Sequence, residues 1–360
     1  MKKIGIITIN DFNNYGNRLQ CYATQEILKK MGVEPENIFN MKQTPSVKSI
    51  IKKRIKQILK YKGADIEYRR EANFNEFNKN IIFSKFKIIN NKYDERINDY
   101  YDNFLVGSDQ VWNPEFETTI DASFLKFVKN NKKKNSFAAS FGISKLPTEN
   151  IQKYKERISE FNNISVREEA GKDIINKQLN IKKDVQVLID PTMLLSIDEW
   201  NLIAMKPKNI KKDKKYILNY FLGKLSNERK KEIEKVAKDN NCKIINILDK
   251  NDPFYISGPS EFLWLEAHAF LICTDSFHSA VFAILNQKPF IVFEREDVSY
   301  KSMNSRLETL LKKFKMEDRR YNGKEITKEN LEHDYTNAYK ILEEEREKSK
   351  KFLEKALDIK

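Results

Sequence analysis

The chain reads Ile272-Cys273-Thr274-Asp275-Ser276-Phe277-His278-Ser279, followed by an apolar run and then by Lys288-Pro289-Phe290-Ile291-Val292-Phe293. A short run of β-formers breaks into the polar triplet Thr274-Asp275-Ser276, and helical periodicity begins with a histidine in the first turn. Strand, polar loop, helix and strand in that order mark a parallel α/β sheet, which binds its ligands outside the carboxyl ends of its strands. Two other segments repeat the layout. Phe104-Leu105-Val106 runs into Gly107-Ser108-Asp109-Gln110-Val111-Trp112-Asn113-Pro114, and Ile4-Gly5-Ile6-Ile7-Thr8-Ile9 runs into Asn13-Asn14-Tyr15-Gly16-Asn17. Three strand ends that open into polar groups predict one cleft assembled from several loops.

The same alternation continues along the chain. Residues 3–9 are a continuous β-rich run, as expected of a strand buried on both faces. Residues 18–31 have helical spacing, with Gly32 as C-cap. Further strands are expected at 104–106, 134–140 and 164–167, and from 185 into the turn Asp190-Pro191-Thr192. The pattern restarts near 193–200, with strands at 216–221, 242–248, 270–273 and 290–293 and helices at 227–239, 260–268 and 276–286. Two doubly wound, Rossmann-like α/β domains facing across a cleft follow from this order. The first spans 1–194 and carries a helical insertion at about 42–100, the second spans 195–327, and residues 328–360 form a C-terminal helix. Within the insertion, residues 46–80 are basic, with Ile50, Ile51, Ile55, Ile58 and Leu59 on one helical stripe.

Composition narrows the class. At 360 residues the chain is long enough for two cores, and 40 % hydrophobic residues without low-complexity tracts describe a globular protein. No apolar run approaches the roughly 20 residues of a membrane span, and Met1-Lys2-Lys3 leads straight into a strand without a cleavage site. Cys21, Cys242 and Cys273 have neither disulfide nor metal spacing. These features predict a cytoplasmic protein with no metal site. The net charge of +14 fits solvated lysine faces, an anionic substrate or an anionic membrane surface. No nucleic-acid-binding signature is present, and no nucleic-acid partner is expected.

Each constellation has a functional and a structural reading. His278 at a helix N-terminus, with Asp275 or Ser276 as cap, is placed for anion binding or proton transfer; the alternative is an imidazole satisfied by a buried carboxylate. Arg167 ends a short strand with a planar fork suited to phosphate or carboxylate; the alternative is a salt bridge to Glu168 or Glu169. Arg295, Arg306 and the pair Arg319-Arg320 are further cationic candidates. Ser108, Asp109 and Gln110 form either a tight turn or a polar ligand loop, and Trp112-Asn113 offers a ring face and an amide that suit a sugar. Neither a triple-glycine dinucleotide fingerprint nor a phosphate-loop motif occurs, and no serine-hydrolase elbow is found.

Taken in order, the motifs resemble the polysaccharide pyruvyl transferase family. They are Asn14-Tyr15-Gly16-Asn17-Arg18-Leu19-Gln20, Gly107-Ser108-Asp109-Gln110-Val111-Trp112-Asn113, Ala138-Ala139-Ser140-Phe141-Gly142 and Ser165-Val166-Arg167-Glu168. Asp190-Pro191-Thr192, Thr274-Asp275-Ser276-Phe277-His278, Lys288-Pro289 and Asn304-Ser305-Arg306-Leu307 complete the set, and Ser279 stands where glycine is more usual. The resemblance implies a fold like that of the two-domain GT-B glycosyltransferases. It also implies transfer of pyruvyl from phosphoenolpyruvate to two hydroxyls of a polysaccharide sugar or its lipid-linked precursor, giving a cyclic ketal and phosphate. No cofactor is implied; phosphoenolpyruvate is a co-substrate. His278 and Arg167 are then the expected catalytic residues. Arg167, Ser276, His278, Ser279, Arg295 and Arg306 are expected on the donor, and Asn14, Tyr15, Asn17, Ser108, Asp109, Gln110 and Trp112 on the saccharide acceptor. An acceptor on a lipid carrier would add peripheral contact with the anionic inner membrane face. The rival readings are a nucleotide-sugar glycosyltransferase of the same fold and a non-catalytic basic surface-binding protein.

Overall fold

A computed structural model describes residues 1–42, 46–59, 63–116, 121–210, 214–295 and 304–359. The chain divides into two compact units. The first comprises residues 1–46, 79–195 and 343–360, and the second residues 47–78 and 196–342. Both are α/β, and every pairing between named strands is parallel. The expected α/β class with parallel sheets is therefore present in each unit. The partition itself runs differently from the sequence boundaries. The helices of residues 47–78 group with the second unit, because Arg70 and Asn73 donate hydrogen bonds to the carbonyls of Tyr255 and Ile256.

The first unit holds strands β1 (Lys3–Ile7), β2 (Glu34–Met41), β3 (Phe83–Ile89), β4 (Asn103–Val106) and β5 (Lys134–Ser136) in the order β3-β2-β1-β4-β5. β6 (Ile164–Val166) and β7 (Val185–Val187) pair with each other, and bridges from Asn135 to Asn163 and from Ala139 to Val166 continue the sheet beyond β5. Sequence order reverses between β1 and β4, so the ligand-binding crevice of such a sheet lies at their carboxyl ends. Beyond their first residues, Lys3 and Asn103, β1 and β4 carry no polar side chain because both of their faces are covered, and Ile4, Ile6, Phe104 and Leu105 are fully buried. The end of the C-terminal helix Thr336–Leu357 adds Phe352, Leu353 and Leu357 to the cluster containing Ile4, Ile6 and Leu28.

β2 and β3 fall in segments that the hydrophobic pattern left without a strand. Pro35 can sit in β2 because β3 begins to pair only at Asn37, so no partner waits for the missing N–H. In β3 the small and lysine residues disguise a strict alternation of buried and exposed positions.

The second unit holds β8 (Tyr216–Tyr220), β9 (Lys243–Asn246), β10 (Leu271–Thr274) and β11 (Phe290–Val292) in the order β11-β10-β8-β9. Its order reverses between β8 and β10. The opening motif thus lies at a switch point, as does the motif after β4.

Candidate functional site

At the β1/β4 switch point the two polar loops of the first unit lock together. Asn14 caps the helix Tyr15–Lys30 by accepting a hydrogen bond from the Asn17 amide at 3.1 Å. That cap turns the Asn17 side chain towards β4, where its amide donates to the Asp109 carboxylate. Asp109 takes a left-handed conformation at φ 67°. Gly107 before it has φ 116°, and a Cβ there would stand 2.2 Å from the Phe137 carbonyl, so only glycine fits. Beneath the loop, Ser108 is fully buried; its amide donates to Gln20 Oε1 at 3.1 Å and its Oγ to Asp190 Oδ2 at 2.8 Å.

Arg167 sits at the centre of this cluster. Its guanidinium donates to Asp190 Oδ2 at 2.5 Å and to Asp109 Oδ1 at 3.3 Å. Burial alone would lower the Arg167 pKa, but the charges of Asp190, Asp109 and Glu168 outweigh it and leave it raised. Glu168 is itself buried and accepts at one oxygen, Oε1, from Ser140 Oγ and from the Phe141 and Gly142 amides. These bonds tie together four of the sequence motifs. The salt-bridge partners of Arg167 are Asp190 and Asp109, whereas the sequence pointed to Glu168 or Glu169. Asp190 in turn accepts from the Thr192 amide and hydroxyl at 3.0 and 2.7 Å. One guanidinium facing three carboxylates makes the buried part of this cluster net negative, a setting for hydroxyl donors rather than for an anion.

The second unit builds a different cluster at its β8/β10 switch point. Thr274 Oγ1 donates to the Tyr220 carbonyl at 2.7 Å and so ties the end of β10 to β8. Asp275 Oδ1 accepts from the Leu222 amide at 2.7 Å, and its Oδ2 accepts from the Gly223 amide at 2.7 Å and from Arg295 Nε at 3.2 Å. With Asp275 spent on that loop, the helix Phe277–Leu285 starts at Ser276 without a side-chain cap and without an acidic residue in its first turn. An uncapped N-terminus directs amide donors and a partial positive charge at its approach. His278 lies in that first turn, 6 % exposed and edge-on to the Phe277 ring. Ser279, next along, donates from Oγ to Glu266 Oε1 at 2.6 Å. Glu266 is fully buried, and burial raises its pKa well above the usual carboxylate value.

Other expected residues fall elsewhere. Trp112 was expected to offer a ring to a sugar, but it is fully buried: its indole donates to the Ser123 carbonyl at 2.9 Å and packs against Phe124, Phe141 and Phe161. The apolar surface of the indole outweighs its single polar atom, so it is core. Tyr15 is also fully buried. Gln110 is 7 % exposed and packs so closely on Gly142 that a Cβ there would lie 1.7 Å from its amide nitrogen. Arg306 is buried on the helix Asn304–Phe314. Arg319 bonds the Asn330 carbonyl, and Arg320 pairs with Glu294. His268 stacks on Trp264 at 3.9 Å with its Nδ1 2.9 Å from that residue's carbonyl, a structural placement.

Two buried groups escaped the sequence reading. Arg18 is fully buried beside the Phe12 ring; one terminal nitrogen donates to the Ile9 carbonyl at 3.1 Å, while Nε and the other terminal nitrogen have no hydrogen-bond partner among the described residues. Burial lowers its pKa. Glu266 was hidden in an apolar helix, and the one available signal was the serine at 279. Among the described residues, no group of three or more His, Cys, Asp or Glu could hold a metal ion.

The UDP-GlcNAc 2-epimerase of Neisseria meningitidis, bound to UDP-GlcNAc, is similar at TM-score 0.46 and 13 % identity, with 100 % of this chain and 95 % of that chain covered. The UDP-GlcNAc 2-epimerase of Methanocaldococcus jannaschii gives 0.44 and 15 %, with 95 % and 99 % covered. A glycosyltransferase of Rickettsia africae gives 0.44 and 11 %, with 98 % and 99 % covered. At TM-scores below 0.5 these likenesses carry no argument about chemistry. No curated protein matches the chain. The sequence model of the family described as polysaccharide pyruvyl transferase matches residues 14–297, from the capping asparagine through both switch-point clusters. This chain belongs to the polysaccharide pyruvyl transferase family and is a transferase.

Proposed function

We propose that the enzyme transfers the pyruvyl group of phosphoenolpyruvate to two hydroxyls of a saccharide as a cyclic ketal, releasing phosphate. The observation that carries this reading is the uncapped N-terminus of Phe277–Leu285, with His278 in its first turn and Arg295 held beside it through Asp275. Phosphoenolpyruvate presents a phosphate and a carboxylate, and backbone amides with a guanidinium are donors matched to both. Asp109, held by Asn17 and Arg167, keeps carboxylate lone pairs for a sugar hydroxyl.

A proton adds to the methylene carbon and makes the methyl group of the product. One sugar oxygen bonds to the enol carbon. The second sugar oxygen then bonds to the same carbon as its C–O bond to phosphate breaks. Two hydroxyl protons are lost; one balances the methyl group and the other leaves on phosphate. His278 is the proposed acid/base, since one imidazole can both give and take a proton. Arg295 is proposed on the donor anions. Arg167 is proposed first to position Asp109, because its fork is already engaged by two carboxylates.

Incubation with phosphoenolpyruvate and a panel of saccharide acceptors tests the reading. Phosphate release together with a new ketal methyl resonance supports it. Transfer of a sugar from a nucleotide donor, with phosphoenolpyruvate inert, overturns it.

A further inference from the structure

The helix Val47–Ile58 is built with its greasy side outward. Val47, Ile50, Ile51, Ile55 and Ile58 recur at the spacing of one helical face, and Leu59 follows. Exposure along the stripe ranges from 50 % at Ile50 to 78 % at Ile58. An ordinary surface helix hides such a stripe against its neighbour. Here the neighbour, the helix Ala64–Asn78, is met through polar groups: Lys53 pairs with Glu71, Gln57 donates to Glu71 Oε2 at 3.3 Å, and the Arg54 guanidinium lies over the Tyr68 ring at 5.1 Å. The supporting helix is fixed in turn. Asn73 donates to the Ile256 carbonyl at 2.8 Å, and Gly258 leaves room for its backbone.

We infer that this helix is a docking element that lays its isoleucine stripe into an anionic lipid surface. Residues 47–59 carry five Lys and Arg and no Asp or Glu. Lys48, Lys52 and Lys56 run along one flank of the stripe by helical spacing, and all three are exposed. Apolar residues on one face with a cationic flank describe a helix lying in the plane of a membrane interface: the stripe enters the acyl boundary and the lysines meet lipid phosphates. The charge pattern decides between occupants. A second copy would bring the flank of Lys48, Lys52 and Lys56 against an equally cationic flank, whereas an anionic bilayer offers that flank the opposite charge. No helix among the described residues is long and apolar enough to cross a membrane, so the contact is peripheral.

Co-sedimentation of the full chain with phosphatidylcholine vesicles, with and without phosphatidylglycerol, tests this directly. Binding is expected to the anionic vesicles and to fall at least about tenfold in Ile51→Ser/Ile55→Ser/Ile58→Ser and in Lys48→Ser/Lys52→Ser/Lys56→Ser. Both sets lie on exposed positions, so thermal melting checks that the fold is kept. Equal binding to both kinds of vesicle, or binding unchanged in the isoleucine variant, overturns the proposal. A dimer seen by light scattering that dissociates in the isoleucine variant, without vesicle binding, overturns it in favour of a second copy.

Discussion

The two switch-point clusters share a layout and differ in electrostatics. In the first unit the guanidinium of Arg167 is answered by Asp109 and Asp190 and faces the buried Glu168, so the cluster is closed and net negative. In the second, Asp275 is satisfied mainly by backbone amides, and the neighbouring helix N-terminus remains uncapped with Arg295 beside it. The same strand–loop–helix geometry therefore ends in a carboxylate-lined cluster in one unit and in free amide donors beside a guanidinium in the other. What differs is whether carboxylates or amides answer the charge at the strand end.

The largest expected effect breaks the first cluster. Arg167→Met leaves Asp109 and Asp190 buried without their cation and should cost about 3–5 kcal/mol of stability in urea unfolding. Arg295→Met withdraws the guanidinium from a carboxylate that keeps two amide donors, and should cost about 1–2 kcal/mol. Equal losses would erase the distinction. His278→Gln should lower turnover by about 10²–10⁴ with an unchanged melting temperature if it transfers the proton; loss of fold with intact turnover per folded molecule would assign it to the core.

Smaller effects sharpen the comparison. Asn17→Ala withdraws one partner from Asp109 and should raise the acceptor KM about 3–10-fold while leaving phosphoenolpyruvate affinity alone, as steady-state kinetics would show. Glu266 offers a pH test. Its folded pKa is raised, so the folded state keeps a proton that the unfolded state releases above the ordinary value of 4.5. Its contribution to stability is present below pH 4.5 and is lost as pH rises towards the folded pKa. Glu266→Gln, which cannot ionise, should therefore gain stability relative to the native chain as pH rises from 5 to 8; parallel melting curves across that range would show that Glu266 is not held protonated.

Apolar strands flanked by polar loops were legible in the sequence because β1, β4, β8 and β10 are buried on both faces and consist mostly of apolar residues. β2 and β3 were not, since a proline and alternating lysines mask them. The motif residues were visible, but their partners were not. Arg167 meets Asp190 across 23 positions and Asp109 across 58, and nothing local distinguishes that pairing from one with Glu168. Trp112 shows the converse failure: a ring next to polar residues suggested a sugar platform, while its apolar area sent it to the core. Arg18 and Glu266 gave little warning, because a buried charge is recognised by its surroundings rather than by its neighbours in sequence.

Calorimetry with phosphoenolpyruvate on the native chain, Arg295→Met and Asp109→Asn tests the division of labour most directly. Binding to the native chain, weakened at least about tenfold in Arg295→Met and unchanged in Asp109→Asn, is the predicted result. Binding lost in Asp109→Asn and retained in Arg295→Met would contradict the account, as would uridine or guanosine diphosphate binding where phosphoenolpyruvate does not.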